Sequence, residues 1–360
     1  AAGAYTGYKY YDGFHQQDEA RKHSLWLNNK FADHPLADVL TNNLTVEQKG
    51  EGLMATSEMI VSNPGTTPLD TLLFSLNPTF SIDSITVRGT KVEYLRNAQI
   101  IRIVPEEALG AGRRTSLQFY YRGIPDEAIA FLDISKRTRA SLKRINVATI
   151  DKKPAIVDEN FLLLTRELLW YPLAGVGFNT QTFQPALSDF TRFSLSVKAD
   201  RGLTAVAPGK AEESEGWQHF SPETDLNSFP LVIGPFETRT VLVDEVEYNL
   251  FLKPGHDYFS SYFTNIGDTV GALIKEAKED YEYDELDLYY AFSRLNIVEV
   301  PVQYHPYERP FSQAIESVQP EMVFLPERGA GLNTLDFKRF KNAAEQRNRE
   351  RDNARTAEEV

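Results

Sequence analysis

The sequence has 360 residues, with 38 basic and 51 acidic side chains and a net charge of −13. A hydrophobic content of 42% and a charged content of 25% are those of an ordinary globular chain with room for two or three domains. The acid excess argues against nucleic acid or anionic lipid as a main partner, because neither meets a basic patch, and the absence of cysteine excludes disulfide scaffolds, thiolate metal sites and cysteine nucleophiles.

No apolar run approaches the roughly 20 residues that a membrane span needs, and the N-terminus does not read as a signal peptide. Any export signal or anchor of the natural protein would lie outside these residues. The 17 Tyr and 22 Phe against 3 Met suit a chain rich in β-structure.

Residues 1–35 form a lead-in arm, aromatic at first (Tyr5, Tyr8, Tyr10, Tyr11) and then charged (Asp18, Glu19, Arg21, Lys22). A helix is expected around Gln16 to Phe31, with Leu25, Trp26 and Leu27 as a narrow apolar patch. It reads as an arm packed on the next domain, or else as a juxtamembrane helix. From Pro35 to about Tyr121 strand follows strand: Val39–Thr41, Leu44–Val46, Leu53–Ser62, Leu69–Leu76, Ile82–Arg88, Gln99–Val104 and Thr115–Tyr121. Turn residues punctuate them, as at Asn63-Pro64-Gly65 and Asn77-Pro78. Such spacing reads as an antiparallel sandwich or saddle.

Ile129 to Asp158 groups Lys136, Arg137, Arg139, Lys143 and Arg144, which reads as a solvated insertion or edge hairpin. Strands resume at Thr191–Lys198, Leu203–Val206, Gly216–Phe220, Leu231–Ile233 and Thr238–Val243, and Val246–Leu252 is one more. His256 to Asp284 predicts a long helix, because Tyr258, Tyr262, Ile266, Val270, Ile274 and Ala277 recur at three- and four-residue intervals. Leu295–Val300 and Glu321–Leu325 are short β-rich runs. The tail, 336–360, is charged and lacks an apolar stripe, so it cannot bury a face of its own.

The six histidines (His15, His23, His34, His219, His256 and His305) include no pair four apart, so no helical zinc pair is present. There is no G-x-S-x-G elbow, no phosphate loop and no dinucleotide fingerprint. His305 alone has a carboxylate close by in sequence and a strand just before it, and it reads as a surface or hydrogen-bonded histidine rather than a ligand.

Leu44-Thr45-Val46, Ser57 to Gly65 and Pro68 to Leu72, followed by Ile85 to Gly89, resemble the opening segments and then the "V-x-V-x-G" strand and turn of the aminopeptidase N family of zinc metallopeptidases. Ser116 to Gly123 resembles "L-x-V-x-Y-x-G"; Trp170 to Gly175 sits where the family has an aromatic-proline loop; Thr204 to Gly209 and Phe229 to Phe236 follow in order. Phe292 to Pro301 resembles the strand that opens the catalytic domain. The likeness runs over residues 36 to 330.

The resemblance implies a mainly β fold with an α+β part. A saddle-like antiparallel β-domain over 36–240 is followed by the first strands and long helix of a thermolysin-like domain over 241–335. It implies zinc only in a fuller parent protein, since the H-E-x-x-H helix and its later glutamate lie C-terminal to Glu321–Leu325 in the family and no such motif occurs here. Catalytic and metal residues in this chain are therefore expected to be none.

Two departures concern the substrate. The family's Q-x-E amine-binding pair falls at Phe161 and Leu163, with Glu159 and Glu167 close by. Its G-A-M-E-N loop is approached by Gln313-Ala314-Ile315-Glu316-Ser317. Glu316 and Glu167 are the substrate-binding candidates that this implies. One branch of the family is fused to bacterial ABC-type permeases, which would make this chain an extracytoplasmic part, periplasmic or cell-surface, of a membrane protein. Its partners would then be peptide N-termini or a transporter subunit, together with the remainder of its own parent chain.

Overall fold

The computed structural model describes residues 17–132, 134, 138, 144–145, 148–176, 190–257, 266–307, 318–327, 339, 342 and 346. The chain divides into two compact units: Ala1–Pro235 with Gln303–Met322, and Phe236–Val302 with Val323–Val360.

The first unit is built on an eight-stranded sheet. In spatial order its strands are Lys210–Ser214, Trp217–Ser221, Arg192–Lys198, Asp38–Lys49, Gly52–Ser62, Arg114–Gly123, Ser81–Val87 and Thr90–Lys91. The two long strands at its centre form a hairpin, with Leu44 opposite Ser57 and Val46 opposite Ala55. Alternate residues are buried along both, as period-two patterning requires of a sheet covered on one face. The two short pieces expected at Val39–Thr41 and Leu44–Val46 are one strand, interrupted only by a register shift between Val39 and Thr41. One pairing departs from the antiparallel expectation: Asp38–Lys49 runs parallel to Arg192–Lys198, with Leu44 opposite Leu195. Nearly 150 residues of intervening chain allow that crossover, which local turn chemistry could not reveal.

Two four-stranded sheets complete the unit: Leu173–Ala174, Leu72–Ser75, Ile100–Ile103 and Tyr94–Asn97; and Ile156–Asp158, Phe161–Leu164, Leu231–Gly234 and Thr204–Val206. Their inner strands are buried on both faces, so they read as continuous apolar runs rather than alternation. Phe74 meets Phe119 of the large sheet edge to face at 5.3 Å; in a second group Tyr171 meets Phe193 edge to face, and Phe193 stacks on Phe229.

The helix of the lead-in arm covers 17–30. Of the apolar patch expected on it, Leu27 alone is fully buried, packing with Leu73 and Ile100, while Ser24 and Asn28 share its buried face. Gln99 Nε2 donates to Ser24 O and to Asn28 Oδ1, both at 2.9 Å, so a polar clamp replaces the apolar stripe. Trp26 turns outward, 53% exposed, stacked on His23 and under the Lys30 ammonium. Positions i and i+1 point about 100° apart on a helix, so Trp26 and Leu27 cannot share a face.

The second unit pairs Glu237–Val243, Val246–Leu252, Arg294–Val300 and Met322–Pro326 in that order, and Val246–Leu252 runs parallel to Arg294–Val300. The helix Ile266–Glu279 crosses between those parallel strands, as such a connection requires, and ends in a π-helical turn over Asp280–Glu285. The first half of the helix expected from His256, residues 258–265, lies outside the described residues. A Cβ on Gly271 would touch Val241 and Val243, which sets this face of the helix against the first strand.

Candidate functional site

Strand Phe161–Leu164 aligns Leu163 with Val232 and Leu162 with Ile233. Leu163 is 0% exposed and Phe161 is buried. These are the positions where the resemblance would put an amine-binding pair, and both side chains belong to the core instead. A carboxylate there would be sealed from water without a partner, which costs several kcal/mol.

The chain then enters a tight turn. Thr165 precedes a 3-10 helix, Arg166–Leu168, and Leu169 closes it in the left-handed region (φ 53°), its N–H donating to Arg166 O. Asn77, fully buried, clamps this turn: its N–H donates to Leu169 O at 2.8 Å and its Nδ2 to Leu168 O at 2.8 Å. The Asn77-Pro78 stop signal of the sequence is thus also a support for the candidate site. Trp170 and Tyr171 follow, both buried, and Tyr121 Oη donates to Trp170 O at 3.0 Å.

Glu167 sits at the centre of the turn, half-buried. Its Oε2 is sealed from solvent with no hydrogen-bond partner, and so are Thr165 Oγ1 and Trp170 Nε1 on either side of it. A buried polar atom left unpaired costs about 1–3 kcal/mol, so three within six residues make this turn the candidate site. Together they offer an acceptor, a donor and a hydroxyl that is both. Burial pushes the Tyr171 hydroxyl up to about 12; the Arg166 charge and the Phe229 N–H pull against that rise and the Glu167 charge adds to it. Arg166, Glu167 and Tyr171 therefore lie within electrostatic reach of one another. Glu316, the other candidate, lies outside the described residues.

His305 is held by its backbone, its N–H donating to Lys153 O at 2.9 Å, and its ring meets Tyr307 edge to face. Burial, and then the Lys152 charge, lower its pKa below the usual histidine value. The pair that sequence reading missed is in the second unit: His256 Nδ1 lies 2.8 Å from Glu299 Oε1, whose other oxygen accepts from Lys253 N–H at 2.9 Å. The two residues are 43 apart in sequence and meet because the strand before His256, Val246–Leu252, pairs in parallel with the strand that carries Glu299, so no spacing rule could find them. Among the described residues no group of three or more His, Asp or Glu converges on a point where a metal could sit.

No known family model matches the chain, and no curated protein does. Solved structures do. An M1 zinc metallopeptidase from Deinococcus radiodurans superimposes with a TM-score of 0.52 at 16% identity, covering 84% of this chain and 63% of the other. A mutant of an M1 zinc metallopeptidase from the same organism gives 0.51 and 16%, covering 73% and 56%, as does one bound to a Tyr-Ser-Ala substrate. The fold is that of the N-terminal region of M1 zinc metallopeptidases. At this identity the likeness concerns the fold alone, and the chain spans less than two thirds of the length of these neighbours. Its own residues do not fit the zinc for which those proteins are named, because none of the 360 residues forms an H-E-x-x-H motif.

Proposed function

We propose that this chain is the front portion of an aminopeptidase N-like protein, shaping one side of a peptide-binding chamber without supplying the metal. The match of its fold to the N-terminal region of M1 metallopeptidases carries this reading. Glu167 is one carboxylate through which it would hold a peptide N-terminus, since the residue is only half-buried and its Oε2 has no hydrogen-bond partner; Glu316 would be the other. The second unit supports a larger parent. Leu288 (68%), Tyr289 (66%), Leu286 and Tyr281 leave an apolar stretch in water, the kind of surface that further chain or a partner covers.

A second reading has a specific observation behind it. Phe161 and Leu163 are core residues, so the amine-binding pair is not merely substituted but built over. This favours a module that keeps the fold without the chemistry: an extracytoplasmic binding or scaffolding part of an ABC-type permease. Among the described residues no helix is long and apolar enough to cross a membrane.

One measurement tests both readings and a second separates them. The purified chain, assayed with an aminoacyl chromogenic substrate with and without chelator, is expected to show no chelator-sensitive activity and no stoichiometric zinc; either signal overturns both. Reading the parent gene beyond residue 360 for H-E-x-x-H then decides between a protease front and a non-catalytic module.

A further inference from the structure

The first unit contains a cleft of about 780 Å³. Its apolar wall includes Leu36, just before the strand Asp38–Lys49, Val39 of that strand, Leu173 of the edge strand after Tyr171 and Phe193 of Arg192–Lys198. Three of the polar residues that line it, Arg166, Asn42 and Tyr171, have donors to spare. Arg166 is half-buried, and only its Nη1 is engaged, donating to Asn227 O at 3.2 Å; among the described residues no carboxylate pairs with it. Asn42 is 1% exposed, and its Oδ1 is taken by Ser57 Oγ at 2.8 Å, so what it can offer to the cleft is its amide N–H₂. Tyr171 Oη accepts the Phe229 N–H at 3.3 Å, and with burial holding its proton firmly it has an O–H left to give. Asn63, by contrast, is saturated by Thr67 O, Leu109 O and Gly65 N–H.

A guanidinium withdrawn from water with most of its five N–H groups unspent is an anion site, and its planar fork matches a carboxylate. Asp33 and Asp38 also border the cleft and supply negative charge of their own. They raise the cost of a dianion such as phosphate more than that of a single charge. The apolar wall calls for a body that can be buried.

We propose that this cleft binds a small monocarboxylic acid with an apolar body, of the N-acylated hydrophobic amino-acid class, through Arg166 with Asn42 and Tyr171. The residues all belong to the first unit, and the proposal stands whether or not the metallopeptidase reading holds.

The test is calorimetric titration of the full chain with N-acetyl-L-phenylalanine, N-acetyl-L-phenylalaninamide and inorganic phosphate. The acid is expected to bind with a dissociation constant of about 0.1–1 mM, and the amide and phosphate at least tenfold more weakly. Arg166→Gln should weaken the acid at least tenfold. Asn42→Asp keeps the acceptor for Ser57 but places a carboxylate where the donors were, so it should do the same even if Arg166→Gln fails to fold. No binding of the acid up to ~10 mM, equal binding of the amide, or unchanged binding in a folded variant overturns the proposal.

Discussion

The two units differ in how their largest apolar side chains are covered, although both bury some and expose others. In the first, Trp170, Tyr121, Tyr171, Phe74, Phe119 and Phe229 are all fully buried; Phe74 meets Phe119, Tyr121 meets Phe80, and Trp170, Tyr171, Phe193 and Phe229 meet in sequence. In the second, Leu242 (71%), Leu273, Tyr281, Leu286, Leu288 and Tyr289 stand in water, and the described part of the helix Ile266–Glu279 has no fully buried residue. The first unit packs large aromatic rings in its core; among the described residues of the second, the buried apolar ones are mostly aliphatic (Val246, Leu252, Val298, Val300, with Phe324) and the tyrosines Tyr281 and Tyr289 are exposed. A region whose elements form by local pattern can thus carry less of the packing that normally stabilises them, because most helix stability comes from tertiary burial of an apolar face.

The sharpest way to break this contrast is to put charge into the core of the first unit. Leu163→Glu, which restores the carboxylate that amine recognition would need, is expected to cost several kcal/mol, roughly 3–5, in urea unfolding monitored by near-UV circular dichroism. A variant that folds at normal stability would mean that the position is not sealed. Next in size is Gly209→Ala. Gly209 has φ +96°, and a Cβ there would lie 2.6 Å from the backbone of Ser221 and Pro222, while its N–H donates to the buried Glu321 carboxylate at 2.7 Å. Backbone has to move, so a loss of about 3 kcal/mol is expected. Gly216→Ala is the control: φ is +81° but nothing lies within 4 Å, so only the conformational cost of about 1–2 kcal/mol remains.

Protonation gives a smaller effect, also in the first unit. Burial and the Lys152 charge lower the His305 pKa, so below about 6.5 the unfolded chain binds this proton before the folded one does. His305 therefore contributes stability that is complete above pH 6.5 and is lost as the pH falls toward the folded-state pKa. His305→Gln should flatten that acid-side slope in thermal melts; an unchanged slope would remove His305 as its source. The smallest stability effect belongs to the second unit. Leu286→Ser with Leu288→Ser should change unfolding free energy by no more than about 0.5 kcal/mol while lowering dye binding and self-association at high concentration. A large stability loss would show that these residues are covered in the protein as it exists in solution.

Period-two alternation and turn residues were enough to read the strands Gly52–Ser62, Arg114–Gly123 and Val246–Leu252 almost to the residue, because each depends on neighbours within a few positions. The order of those segments pointed to the fold by resemblance. Phe161–Leu164 went unread as a strand: buried on both faces, it carries no alternation to detect.

What the sequence settled by itself was local or compositional: where strands stop, that no cysteine chemistry is possible, that no H-E-x-x-H occurs. The tertiary structure alone decided which strands run parallel, that Asn77 clamps the Glu167 turn, that His256 meets Glu299, and that Arg166 faces a cleft with few partners. The physical reason is one of range. Backbone preference and turn chemistry act within a few residues, whereas burial, ion pairing and the shape of a cleft arise between residues brought together from 40 to 150 positions apart, and no single segment encodes them.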